Sequence, residues 1–164
     1  MEKVNINQIQ DSFDDFLKSF KITTQYVWLP DIYSLPAQIS YDVTCGSETD
    51  EFLPCFSFTK AEWGSSQCDA LCWYVSPHRD DFTFRTKLFR EFPVVKRLSA
   101  PYRPTVGKKF QMKCKISSTS ATYCINGIDY AIATYQEGEV PQRGYFGFAK
   151  NSTANITVEN VHIN

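Results

Sequence analysis

Lys109-Phe-Gln-Met-Lys-Cys-Lys-Ile-Ser-Ser-Thr-Ser-Ala-Thr-Tyr-Cys-Ile-Asn-Gly-Ile-Asp-Tyr-Ala-Ile-Ala-Thr-Tyr135 is the stretch that decides the fold class. Its first third alternates Phe110, Met112, Cys114 and Ile116 against Gln111, Lys113, Lys115 and Ser117. That period of two belongs to an antiparallel strand with one buried and one wet face. Ser117–Ser120 reads as its turn. The chain returns over Ala121–Ile125 and reverses at Asn126-Gly127, the pair that a two-residue type I′ hairpin favours. It then runs out through Ile128–Tyr135. The turn pairs Ile125 with Ile128 and Tyr123 with Tyr130. Setting Ala121, Tyr123 and Ile125 against Ile116, Cys114 and Met112 keeps every apolar side chain on one face. In that register Cys114 points inward and Cys124 outward, which disfavours a disulfide between them.

Upstream, the same period of two recurs. Lys21–Leu29 alternates Ile22, Thr24, Tyr26 and Trp28 against Thr23, Gln25, Val27 and Leu29, and Ala37–Thr44 sets Ile39, Tyr41 and Val43 on one face. Phe52–Thr59 is a further strand in which Pro54 suits an edge or a bulge. In Asp69–Ser76 both faces carry bulky side chains, so both should be covered, whereas Asp81–Arg90 places Phe82, Phe84 and Leu88 opposite Arg85 and Lys87. Downstream come Gly144–Phe148 and Asn155–Ile163. The phase change between Ile156/Val158 and Val161/Ile163 implies a bulge near Glu159-Asn160. Ahead of all the strands, Ile9, Phe13, Phe16, Leu17 and Phe20 fall at helical spacing within Asn7–Phe20, behind a capping-box-like Asn7/Gln10. The expected organisation is an amphipathic helix within 1–20 packed on one domain over 21–164. That domain is all-β, a two-sheet antiparallel sandwich.

Composition bounds the function. The chain has 164 residues, 17 Lys plus Arg against 18 Asp plus Glu, and 15% aromatics. With charge near balance, no global field draws it to phosphate backbones or anionic lipid, so neither nucleic acid nor membrane is an expected partner. The opening Met-Glu-Lys-Val-Asn-Ile-Asn lacks a signal-peptide core, which leads to the expectation of a cytoplasmic protein, although a mature secreted chain reads the same way. The six cysteines, Cys45, Cys55, Cys68, Cys72, Cys114 and Cys124, are even in number. They permit a disulfide framework without requiring one. Cys68 and Cys72 lack a partner pair at metal-site spacing, so no metal and no cofactor is expected.

The tail carries a resemblance. Val106-Gly107-Lys-Lys-Phe110, Tyr123-Cys-Ile-Asn-Gly127, Gly144-Tyr-Phe-Gly147 and Ile156-Thr-Val-Glu-Asn-Val161 resemble the closing half of concanavalin-like jelly rolls, including laminin-G-like modules and 3-keto-glucoside hydrolase-like domains. The resemblance covers about the last third of the chain and implies two antiparallel sheets, one concave, with ligands on the concave face or the rim loops. The closely spaced acidic residues of retaining glucanases have no counterpart here. The acidic runs Glu48–Glu51 and Asp80-Asp81 read as solvated turns.

Chemistry concentrates in Trp73-Tyr-Val-Ser-Pro-His-Arg-Asp-Asp81 and Arg85, where an imidazole, carboxylates and guanidiniums meet large aromatics. His78, Asp80 and Arg85 are the candidate catalytic residues. Trp63, Trp73, Tyr74, Arg85, Tyr102, Arg103 and Arg143 are candidates for binding a ligand by stacking or hydrogen bonding. The leading expectation is a carbohydrate-binding sandwich with an aromatic, Arg-bearing concave face. The alternatives are a small isomerase, cyclase or lyase acting on a hydrophobic metabolite or sugar derivative, and an interaction subunit docking through an edge strand or the helix.

Overall fold

A computed structural model describes residues 19–21, 26–58, 70–73, 75–78, 84–87, 94–100, 102–150 and 155–164; for 19–21, 26, 70, 84–87, 94 and 95 it describes the backbone. Among the described residues thirteen strands follow in order: β1 Ser19–Lys21, β2 Tyr26–Trp28, β3 Tyr33–Ser34, β4 Ala37–Cys45, β5 Phe52–Ser57, β6 Ala70–Trp73, β7 Phe84–Lys87, β8 Val94–Arg97, β9 Phe110–Ile116, β10 Ser120–Ile125, β11 Ile128–Thr134, β12 Arg143–Lys150 and β13 Ile156–Ile163. They form two antiparallel sheets. The larger runs β1-β13-β4-β9-β10-β11-β8, and the smaller runs β2-β12-β5-β6-β7 with β3 also on β12. The expected all-β sandwich is therefore the fold. The expected N-terminal helix lies outside the described residues, except that its last positions, Ser19 and Phe20, are strand and pair with Glu159 and Val158.

The period of two translates into burial wherever one face meets the other sheet. β4 alternates between buried and half-buried side chains along all its length, and β9 does the same with exposed lysine and glutamine between buried positions. The inward rows of the two sheets meet in one core. Tyr41 packs edge-on against Phe148 with ring centroids 4.8 Å apart, and Trp73 lies 5.0 Å from Tyr123. Each such fully buried side chain stabilises the fold by about 1.5–3 kcal/mol through apolar area removed from water.

The central hairpin has the expected turn, with Asn126 at φ 50° and Gly127 at φ 82°. Pairing of β10 with β9 also follows the expected register. On the other side the expectation fails after Ile125↔Ile128: Cys124 pairs with Asp129 and Tyr123 with Ala131, so Tyr130 is a bulge residue. The reason is packing. The shift turns Ala131 and Ala133 into the core and leaves Tyr130 half-buried against Tyr102 and Trp73. The bulge expected near Glu159-Asn160 is present, with Asn160 at φ 55°.

Two further expectations need correction. The single strand expected over Lys21–Leu29 is two strands in different sheets, β1 on β13 and β2 on β12. Pro54 suits an edge or a bulge, yet β5 lies between β12 and β6. Phe52 exchanges both backbone bonds with Val75, so by alternation the nitrogen of Pro54 also faces β6. The β5–β6 ladder runs only from Cys55↔Cys72 to Ser57↔Ala70, and Pro54 falls in the gap before the Phe52↔Val75 bridge, where no donor is used. The outward face of the smaller sheet is locally covered as well, since Cys55, Cys72 and Ala149 are buried there beside Trp28 and Leu53.

Candidate functional site

The chemistry-bearing residues gather at the end of the sandwich where β4 turns into β5. Gly46 to Glu51 form that turn, and its organiser is Asp50, which has no exposed surface. Its carboxylate accepts from Gly46 N (2.8 Å), Ser47 N (3.1 Å), Ser47 Oγ (2.6 Å) and Asn155 N (3.1 Å), tying the turn to the segment before β13. Burial alone would raise its pKa. The hydrogen bonds from Ser47, Asn155 and Gly46 outweigh that and hold the carboxyl below the ordinary aspartate value. Close approach makes Gly46 necessary too: a Cβ there would stand 2.6 Å from the Asn155 carbonyl oxygen.

From this turn the network reaches His78. Ser76 Oγ donates to the Asp50 carbonyl (2.7 Å), and His78 Nδ1 lies 2.6 Å from Ser76 Oγ and 3.0 Å from the Glu48 carbonyl. A carbonyl only accepts, and the single hydroxyl proton of Ser76 is committed to Asp50, so Nδ1 carries the proton of the ring. In the neutral ring Nε2 then holds the lone pair, and it faces Glu51 Oε1 at 4.0 Å, the two side chains being 39% and 33% exposed. This orientation excludes one chemistry. His78 donates toward Ser76 rather than taking its proton, so the pair is not an activated serine nucleophile.

Arg103 joins the same end by donating its Nε–H to the Pro77 carbonyl. Beside it Tyr102 packs at 5.4 Å on Phe110 and 5.8 Å on Tyr130. Burial, then the neighbouring Tyr130, raise the Tyr102 hydroxyl pKa above the ordinary tyrosine value, although a hydrogen bond with Asn126 counteracts this. The resulting rim presents a fixed imidazole nitrogen, a carboxylate, a guanidinium and the edge of a phenol ring. Among the described residues no three His, Cys, Asp or Glu side chains come together as a metal-ligand set.

The candidates named from the sequence thus separate. His78, Tyr102 and Arg103 share the rim. Trp73 does not: it is wholly buried between the sheets, because its inward phase on β6 sets it against Tyr123. Arg143 stands at the opposite end. It pairs with Ser34, and its strand reaches Phe52, at the rim end of β5, only at Lys150. Seven residues of strand separate the two levels, about 20–25 Å. Arg85 occupies the position opposite Cys72 in β7. Trp63, Tyr74 and Asp80 lie outside the described residues.

Sequence reading missed Asp50, Ser76 and Glu51. The acidic run Glu48–Glu51 reads as a solvated turn, and for Asp50 burial overturns that. The available signal was Gly46-Ser47 placed three to four residues before Asp50, the spacing at which a carboxylate can take turn amides.

No family model and no curated protein matches the chain. Its fold is nevertheless shared with solved structures. A Bacillus subtilis protein of unknown function with a galectin-like fold superposes with a TM-score of 0.67 at 13% identity, covering 94% of this chain and 85% of that one. A human galectin-16 variant gives 0.60 at 15% identity, covering 88% and 97%. The carbohydrate-binding module CBM66 of Bacillus subtilis gives 0.57 at 14%, covering 90% and 92%. The jelly-roll likeness expected for the last third therefore extends over most of the chain. At these identities it is a likeness of fold.

Proposed function

We propose that this chain is a carbohydrate-binding sandwich that takes its sugar at the rim formed by His78, Glu51 and Arg103, with Tyr102 beside them. The observation that carries the reading is the fixed orientation of His78. Its Nδ1 is held by Ser76 and Glu48, so Nε2 stands preorganised and exposed next to a carboxylate. A sugar hydroxyl both donates and accepts, and an imidazole lone pair beside a carboxylate and a guanidinium offers both complements without reordering. Two of the structural relatives above are a galectin and a carbohydrate-binding module, which supports the same ligand class. The rim is preferred to the outward face of the smaller sheet because that face carries the buried cluster Cys55, Cys72 and Ala149.

Calorimetry against a panel of mono- and oligosaccharides tests the proposal. A ligand should be found, and His78→Ala and Arg103→Ala should each weaken it at least tenfold, about 1.4 kcal/mol. Silence across the panel, or affinity untouched by both substitutions, would sink it.

The same lone pair supports a second reading, a small isomerase, cyclase or lyase in which His78 Nε2 takes a proton from the substrate. His78→Ala would then abolish turnover while the protein stays folded.

A further inference from the structure

Across the smaller sheet one row runs Trp28, Gly147, Cys55, Cys72 and Arg85, each the register partner of the next. Two neighbours in it are thiols. Phe52 and Val75 exchange both backbone hydrogen bonds at 2.9 Å, and counting three positions along the same register makes Cys55↔Cys72 a non-hydrogen-bonded pair. Such pairs bring opposed Cα atoms to about 4.5 Å, inside the range of about 4.4–6.8 Å that a disulfide spans. Both side chains lie on the same face and in the same small cluster. Both are reduced in this structure, and Cys55 Sγ donates to the Leu53 carbonyl at 3.2 Å. The other described cysteines are differently placed. Cys45 and Cys114 are in the core, while Cys124 faces Lys113, Lys115 and Asp129 on the far side of the larger sheet.

We propose that Cys55 and Cys72 are a peroxide-oxidisable cross-strand dithiol whose oxidation staples β5 to β6. Cys55, at 5% exposure against 0% for Cys72, is the thiol a small oxidant reaches first when the sheet face opens locally. Its sulfur attacks hydrogen peroxide; the O–O bond breaks, an S–O bond forms, and one water leaves. Cys72 sulfur then displaces the sulfenic oxygen, forming the S–S bond and releasing a second water. Two thiols are oxidised and one peroxide is reduced to two waters.

The test uses the full chain treated with hydrogen peroxide, digested without reductant and mapped by mass spectrometry. The expected result is a crosslinked peptide joining Cys55 to Cys72, with the loss of two hydrogens. The oxidised protein should also melt several degrees higher than the reduced protein, since the crosslink restricts the unfolded chain. Cys55→Ser and Cys72→Ser should each remove both the crosslink and the rise. The wild-type map does not depend on those variants folding. Failure of Cys55 and Cys72 to link, or linkage of either to Cys68 instead, overturns the proposal. Sugar binding plays no part in the readout, so the result stands apart from the function proposed above.

Discussion

Replacing Asp50 by Ala removes the anchor of the rim turn, and the cost follows from the bonds lost. Gly46 N keeps the Asn155 carbonyl as an acceptor at 2.9 Å, so its loss is partial. Ser47 N and Asn155 N lose the carboxylate that accepts from them. Both bonds are only partly buried, so water can reach the freed amides; a hydrogen bond to a charged acceptor is then worth about 1.5 kcal/mol, and the two together set an expected loss of about 3 kcal/mol. For a chain of this size that is a fall in melting temperature of about 6–12 °C, measurable by calorimetry or by urea denaturation. The pH dependence gives an independent check. A carboxyl whose folded pKa lies below its unfolded value of about 3.9 contributes stability above that value and loses it as pH falls through the folded pKa. The stability difference between wild type and Asp50→Asn should therefore be constant near neutrality and shrink only below about pH 4. A loss under about 1 kcal/mol for Asp50→Ala, or a difference that does not shrink in acid, would refute the assignment of Asp50 as the turn's anchor.

Two other predictions follow from close packing and burial. A Cβ at Gly147 would stand 2.2 Å from Trp28 Cε3 and 2.5 Å from the Val27 carbonyl oxygen, which is backbone and cannot swing away. Gly147→Ala should cost about 1–3 kcal/mol in urea denaturation, and a near-wild-type midpoint would contradict the pairing of β2 with β12. The Cys45 thiol is pushed up to about 12 by burial and then by the nearby Asp50 carboxylate. Native Cys45 should alkylate about a thousandfold more slowly than the unfolded chain at pH ~8.5, where its thiolate is scarce. Because the folded value lies above the unfolded one, the associated stability is present below about pH 9 and fades as pH rises toward 12. Equal native and unfolded labelling rates would remove the argument.

The legible parts of the fold were those where one face of a strand meets water. Gln111, Lys113 and Lys115 mark the wet side of β9, and Asn126-Gly127 forces the next reversal, so three strands and most of their register could be read directly. The bulge at Tyr130 could not, because Tyr123 opposite Tyr130 and Tyr123 opposite Ala131 look equally apolar in one dimension. Only the space available in the core selects alanine. β1 and β2 escaped for a related reason: an unbroken alternation does not state which sheet each half joins. At the rim His78, Tyr102 and Arg103 stood out as polar or aromatic groups at strand ends. Asp50 did not, because a carboxylate satisfied by backbone amides and one wetted by solvent have the same letter in the sequence.

The place of β4 has a consequence for synthesis. Its two neighbours in the larger sheet are β9 and β13, neither adjacent in the chain. As the polypeptide emerges from the ribosome, the row Ala37, Ile39, Tyr41, Val43 and Cys45 has no sheet to join until Phe110–Ile116 follows. At about 5–20 residues per second that wait lasts roughly 3–15 s. Through that interval the nascent chain carries a nine-residue strand with one apolar face and no pairing partners, the kind of segment that chaperones shield and neighbouring nascent chains can capture.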